Sequence, residues 1–275
     1  MNPFKYILIL LLSPCLLIAQ TKEIKTQTLP NGHPGSLITI TQEYGTGTID
    51  GYNLYVPNSC EPNSQKYPVI VFLQGGLGVG GDVDKLLRWA LPQMIMEESS
   101  LDTELDNYLR DTFVVVMPHI SGGEFFNNET TMRQILKEVI ATCNVDPDRI
   151  YLTGLSRGGF GAWGLGSTME DIFAAVAPIC GGDRGVDSYE ALAKLPIWVS
   201  HNTEDNVVGY RMSERGVTRL ETLSKVKFHH SGTIASADFA NENYIFTSRI
   251  SDSHNAWTEM YGEPNFYKWL LRFSK

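Results

Sequence analysis

The sequence predicts an α/β fold with a mostly parallel central sheet and helices on both faces, and three observations carry that prediction. Continuous apolar runs such as Pro68-Val69-Ile70-Val71-Phe72-Leu73, closed by Gly75-Gly76, have the pattern of strands buried on both faces. These runs alternate with stretches of helical spacing, as parallel strands and their crossover helices do. The third observation is the junction over residues 150–160. There Ile150-Tyr151-Leu152-Thr153 runs straight into Gly154-Leu155-Ser156-Arg157-Gly158 and a small-residue helix behind it.

In order along the chain, a short basic start with Lys5, an apolar run from Tyr6 to Ile18 and a polar continuation after Ala19-Gln20 read as an export leader, residues 1–20. The run is too short for a comfortable membrane span, so stable membrane insertion is not expected. Lipidation at Cys15 is disfavoured by Pro14 before it and by Leu16, Leu17 and Ile18 after it. The expectation is a secreted or periplasmic protein cleaved near Ala19 or Gln20. Residues 21–275 show no long linker, repeat or low-complexity tract, and their length suits one catalytic domain. Ser36 to Tyr44 and Tyr52 to Val56 read as an opening antiparallel pair, and Pro68 to Leu73 as a central parallel strand. Asp84 to Met96 has helical spacing that Pro92 kinks or ends, and Thr112 to Met117 is a second buried strand ended by Pro118. Thr131 to Thr142 and Gly158 to Thr168 are helices on either side of the strand Ile150 to Thr153. Ile172 to Pro178, Pro196 to His201 and Lys225 to Ser231 continue the strands.

Composition excludes several functions. Loss of Lys5 with the leader takes the formal charge from −9 to −10, which argues against nucleic acid or anionic membrane as partner. Cys60, Cys143 and Cys180 remain, an odd count that allows at most one disulfide within the chain and leaves the pair open. Nothing calls for a metal or cofactor. The acidic loops lack metal-ligand spacing, and Gly75 to Gly81 lacks the Lys-Ser/Thr ending of a phosphate loop.

In open parallel sheets the chemistry sits at the carboxyl ends of the strands, and the candidate residues fall there. Ser156 is the candidate nucleophile: a serine on a sharp strand-to-helix turn holds its hydroxyl above the sheet, and Gly154 and Gly158 remove side chains that would clash across it. A serine needs a general base and an acid to orient that base, and in this architecture the chain order is Ser, then acid, then His. His33, His119 and His201 precede the nucleophile or the acid; of the remaining histidines, adjacent His229 and His230 on a strand face opposite ways and read as a solvated edge pair. His254, in the polar loop Ser251 to Trp257, is the base. Asp205, in the short loop after Pro196 to His201, is the acid, with Glu204 its rival; Asp183 and Asp187 read as loop or cap residues, and Asp252 as a cap for the helix starting near Asn255. Oxyanion donors are the backbone N–H groups of Arg157 and Gly76. Phe125, Phe126 and Trp257 either line an aromatic-tolerant acyl pocket or belong to the core.

Tyr67 to Gly75, Val145 to Gly159, Ala177 to Gly182, His254 to Trp257 and Phe266 to Leu271 together resemble the α/β-hydrolase esterases often labelled predicted peptidases. That group is related to secreted feruloyl esterases, polyhydroxyalkanoate depolymerases and the prolyl oligopeptidase catalytic domain. The resemblance implies an α/β-hydrolase fold with Ser156, Asp205 and His254 as triad and Gly76 and Arg157 as oxyanion donors. The sequence departs from the group at Gln74-Gly75, where His-Gly is usual, and at His201-Asn202-Thr203, where His-Gly commonly precedes the acid. Thr233 to Asn243 look like extra residues, a loop or hairpin near the site. The expected activity is that of a secreted serine carboxylesterase acting on a small-molecule or polymer-linked ester. The alternatives are a serine peptidase, disfavoured by the lack of a gating domain in so short a chain, and a non-catalytic binding protein, which would be expected to have lost a triad member.

Overall fold

The computed structural model describes residues 22–29, 33–57, 66–97, 103–234, 239 and 241–275; the leader with Cys15, and Cys60, lie outside them. Ten strands among the described residues form one sheet: β1 (Glu23–Thr28), β2 (Ser36–Thr41), β3 (Ile49–Val56), β4 (Tyr67–Leu73), β5 (Val114–Ile120), β6 (Val145–Leu155), β7 (Ala175–Ile179), β8 (Ile197–Asn202), β9 (His229–Ser231) and β10 (Tyr244–Arg249). Their order is β1-β2-β3-β5-β4-β6-β7-β8-β10-β9. The first three strands pair antiparallel with one another and with β5, and every pairing from β5 onward is parallel. The helices are α1 (Ala90–Met96), α2 (Thr103–Asp106), α3 (Glu129–Thr142), α4 (Arg157–Thr168), α5 (Tyr189–Leu192), α6 (Arg211–Ser224), α7 (Trp257–Gly262) and α8 (Pro264–Leu271).

The apolar run of β4 is explained by burial on both sides. Ile70 and Phe72 join one core with Leu91 and Ile95 of α1 and with Met260 and Phe266 of α7 and α8. Val69, Val71 and Leu73 join the other with Ile135 and Leu136 of α3 and Ala162 and Leu165 of α4. Successive side chains of a strand point to opposite faces, so a strand covered on both sides has no polar position.

Several expected boundaries move, each for a local reason. Pro92 does not end the helix; it sits buried in the first turn of α1, where a missing N–H costs nothing. The break lies earlier, between a 3₁₀ turn over Val83–Arg88 and Ala90, whose φ is 52°. Pro118 lies inside β5 and pairs with Tyr52 on the antiparallel side, while the ladder to β4 is recorded only as far as Val116. The strand expected from Lys225 is reduced to His229–Ser231 at the sheet edge, where His229 is half-buried and His230 exposed. The helix near Asn255 is capped by the Asn255 side chain, which accepts from the Thr258 N–H at 3.0 Å, and not by Asp252. β9 and β10 run parallel, and of the residues between them Ile234 and Phe239 are buried in the core, Phe239 edge-on at 4.9 Å to Trp198 near the amino end of β8. No helix among the described residues is long and apolar enough to cross a membrane.

Candidate active site

The turn between β6 and α4 holds Ser156 at φ 54° and ψ −115°, a strained conformation for a residue with a side chain. The two glycines are required by contact. A Cβ at Gly158 would stand 2.0 Å from the Leu73 carbonyl oxygen, and one at Gly154 2.5 Å from the Gly158 carbonyl oxygen. The Ser156 N–H donates to Ile179 O at 2.9 Å, which ties the turn to β7. Arg157 opens α4, and Gly76 opens a 3₁₀ turn over Gly76–Gly78. Their N–H groups are therefore among the donors that a helix start leaves without an intrahelical partner. Gly75 lies between them, and a Cβ there would meet Leu155 Cδ1 at 2.7 Å and Ser156 Cβ at 3.7 Å.

Asp205 follows β8 and is buried, whereas its neighbour Glu204 is exposed. Asp205 Oδ2 accepts from His254 Nδ1 at 2.7 Å, and Oδ1 accepts from the N–H groups of Val207 and Val208 at 2.8 and 3.0 Å. Burial pushes the Asp205 carboxyl up, but the His254 hydrogen bond and these two N–H groups outweigh it and hold it below the usual carboxylate range. With its Nδ1 proton fixed, His254 presents a bare Nε2, which is buried and has no hydrogen-bond partner among the described residues. The ring packs edge-on to Trp257 at 5.4 Å.

Ser156 and His254 line one cavity of about 80 Å³. Its walls are Phe72, Leu86, Trp89, Leu155 and Trp257, and its remaining side is the Gln74–Gly78 segment. Phe125 and Phe126 do not line it. Phe125 is fully buried against Gly161, and Phe126 packs against Gly164 and Gly185. Asp183 is neither cap nor acid: its buried carboxylate accepts from Arg215, from Arg219 at 2.8 Å and from the Tyr189 hydroxyl at 2.5 Å.

No protein-family model matches the chain. It is 28% identical over 179 residues to a bifunctional acetylxylan esterase/xylanase of Neocallimastix patriciarum, across 63% of this chain and 24% of that protein. The chain thus spans about a quarter of that relative's length. A solved thermostable esterase superposes with a TM-score of 0.61 at 23% identity, covering 92% of this chain and 63% of the other. The feruloyl esterase module from Clostridium thermocellum, complexed with sinapinate, gives 0.60 at 17% identity, covering 95% and 90%. The chain has the α/β-hydrolase fold. These relatives are esterases of the group that the sequence resembles.

Three neighbours of the candidate acid and base escaped sequence reasoning. Asn202, the last residue of β8, donates from Nδ2 to Ser253 O at 2.7 Å and to Asn255 O at 3.4 Å, gripping the loop on both sides of His254. His201 places Nε2 3.2 Å from Asp205 Oδ2 and 2.8 Å from Val208 O, and its Nδ1 meets the Ser213 hydroxyl at 2.8 Å. A carbonyl only accepts, so Nε2 carries the proton; burial lowers the His201 pKa and keeps the ring neutral. Cys180, at φ 46°, donates from its thiol to His254 O at 3.0 Å. Burial pushes that thiol up, so it stays protonated. Cys180, Asp205 and His254 bring ligand atoms within 4.8 Å of one another. These groups spend their donors and acceptors locally, the thiol on the His254 carbonyl and Nδ1 on Asp205.

Proposed function

We propose that the protein is an exported serine carboxylesterase that prefers short acyl groups, with Ser156, His254 and Asp205 as its triad. The observation that carries the reading is a strained, half-buried serine sharing one small apolar cavity with a histidine whose far nitrogen is hydrogen-bonded to a buried carboxylate. Ser156 Oγ attacks the ester carbonyl carbon as its proton passes to His254 Nε2. The imidazolium is stabilised by Asp205, and the developing oxyanion is received by the N–H groups of Gly76 and Arg157. His254 returns the proton to the leaving alkoxide. Water then attacks the acyl-enzyme by the same route and frees the acid.

Cavity size supports the short acyl group. A cavity of roughly 150 Å³ holds a benzene ring, and about 80 Å³ is available here. An acetyl or propionyl group matches that space more closely than a feruloyl group does. Trp89 and Leu77, 48% and 69% exposed, stand at the mouth and offer the alcohol an apolar surface. That surface, the leader sequence and the acetylxylan esterase relative support a polymer-linked ester as substrate. The test is fluorophosphonate labelling of the purified protein beside Ser156→Ala, with acetyl, butyryl and feruloyl aryl esters assayed in parallel. Labelling lost in the variant and turnover falling from acetyl to feruloyl are expected. An unlabelled, folded wild type would refute the nucleophile, and faster feruloyl turnover would refute the size argument.

A further inference from the structure

The loop that carries His254 has little structure of its own: residues 250–256, between β10 and α7, belong to no helix or strand. Three successive carbonyls of that loop are nevertheless each taken by a side chain from the end of a strand. Asn202 Nδ2 holds Ser253 O at 2.7 Å and Asn255 O at 3.4 Å, and the Cys180 thiol donates to His254 O, between them, at 3.0 Å. Cys180 directly follows β7, and Asn202 closes β8 beside it.

Cys180 is a free thiol, fully buried, with Sγ within 4.8 Å of ligand atoms of both Asp205 and His254. A buried free cysteine ordinarily acts as a small hydrophobe, and that role asks nothing of direction. Here direction is enforced. The residue has a φ of 46°, in the left-handed region that side chains seldom adopt, and its N–H is tied to Ser200 O at 2.9 Å. Such conformations persist where the surroundings over-determine them, and they cluster at active sites. Burial also pushes the thiol pKa up, so the sulfur keeps the proton it donates.

We propose that Cys180 is a positioning residue, whose S–H···O bond fixes the main chain at His254 and so sets where Nε2 stands in the cavity that Ser156 also lines. The proposal rests on the esterase reading and adds a group that places its base. Asp205 fixes the imidazole at Nδ1 alone. The backbone from which the ring hangs is placed by the loop, and the three held carbonyls are what place the loop. A misplacement of about 1 Å between reacting groups costs on the order of 10²-fold in rate, so even partial slackening of this hold is measurable. The competing role is packing, since Cys180 and Ala256 belong to one core cluster.

The two roles rank the variants differently. Serine and alanine both keep the β-carbon, and with it the same backbone strain, but only serine keeps a donor. Steady-state kinetics on 4-nitrophenyl acetate, well below each melting temperature, compare Cys180→Ser and Cys180→Ala with wild type. Cys180→Ser should stay within about threefold of wild type, and Cys180→Ala should lose about tenfold or more in kcat with KM little changed and fluorophosphonate labelling slowed in step. Should alanine fail to fold, Cys180→Gly, which adopts this φ without strain, lacks the donor too and reads the same fall. A folded donorless variant with the kcat of wild type, or one that equals or exceeds Cys180→Ser, would assign Cys180 to packing and overturn the proposal alone. Wild type that neither turns over any ester nor is labelled at Ser156 would bring down the esterase reading and this proposal with it.

Discussion

Replacing Asp205 by Asn tests the candidate acid against its rival. Three donors converge on the carboxylate: Val207 and Val208 N–H on Oδ1, and His254 Nδ1 on Oδ2; His201 Nε2, whose proton goes to Val208 O, stands 3.2 Å from Oδ2. An asparagine replaces one acceptor by a donor. With the NH₂ toward Oδ1 it opposes two backbone N–H groups, which cannot reverse their polarity. With the NH₂ toward Oδ2 it donates to His254 Nδ1, and the His254 proton moves to Nε2. The backbone pair favours the second arrangement, in which the ring can no longer accept the proton of Ser156. In the serine protease that serves as the reference case, this wrong tautomer lowers kcat about 10⁴-fold, equivalent to about 5.5 kcal/mol in the barrier. Asp205→Asn should therefore lower kcat on 4-nitrophenyl acetate by about 10³- to 10⁴-fold, with the fold retained by circular dichroism and the rate of fluorophosphonate labelling reduced in step. A folded Asp205→Asn within tenfold of wild type would refute the reasoning. If Glu204→Gln were then inactive, the acid would be Glu204.

Asn202→Ala frees the carbonyls of Ser253 and Asn255; loss of about 1–1.5 kcal/mol of positioning should appear as a roughly tenfold fall in kcat with KM little changed. Asn202→Asp, which sets a carboxylate against two carbonyl oxygens, should be worse, and steady-state kinetics on one aryl ester decides both. Gly158→Ala places a Cβ 2.0 Å from the Leu73 carbonyl oxygen, an overlap that the turn cannot absorb, so soluble yield and melting temperature should both collapse. Trp89→Ala should spare 4-nitrophenyl acetate and slow release of acetate from acetylated polysaccharide several-fold; equal loss on both would mean that Trp89 contacts the acyl group and not the alcohol. For Asp183, burial pushes the carboxyl up, but Arg215, Tyr189 and Arg219 outweigh it and lower its pKa, as His254 does for Asp205. The stability these two contribute is present above the unfolded value of about 3.9 and is lost as pH falls through the lower folded values. Melting temperature should drop steeply below about pH 4, and Asp183→Asn should flatten that slope.

What the sequence made legible is what backbone geometry forces. The Ser156 turn could be read because strand, helix and glycines at fixed spacing admit few other structures, and the contacts at Gly154 and Gly158 show why each must lack a side chain. The β4 run could be read because a strand buried on both faces has no polar residue. Asp205 and Glu204 remained rivals because neighbours in a loop differ only in direction, and direction is set by Val207 and Val208 N–H groups that no pattern encodes. Asn202 and Cys180 were illegible for a related reason: they act on residues 51 to 74 positions away, across the gap between the β7 and β8 loops and the loop that carries His254. Yet the sequence did mark one of them. Asn202 and Gln74 are the two places where the chain departs from the pattern it resembles, and both lie at the carboxyl end of a strand beside Ser156 or His254. In one the departure supplies a grip on the base loop, and in the other an unpaired amide in the cavity wall. A position that geometry leaves free to vary, yet that touches the cavity or the loop behind it, is where a shared fold acquires its own substrate. Substitution at Asn202, which grips the loop on both sides of His254, should change how fast an ester is cleaved.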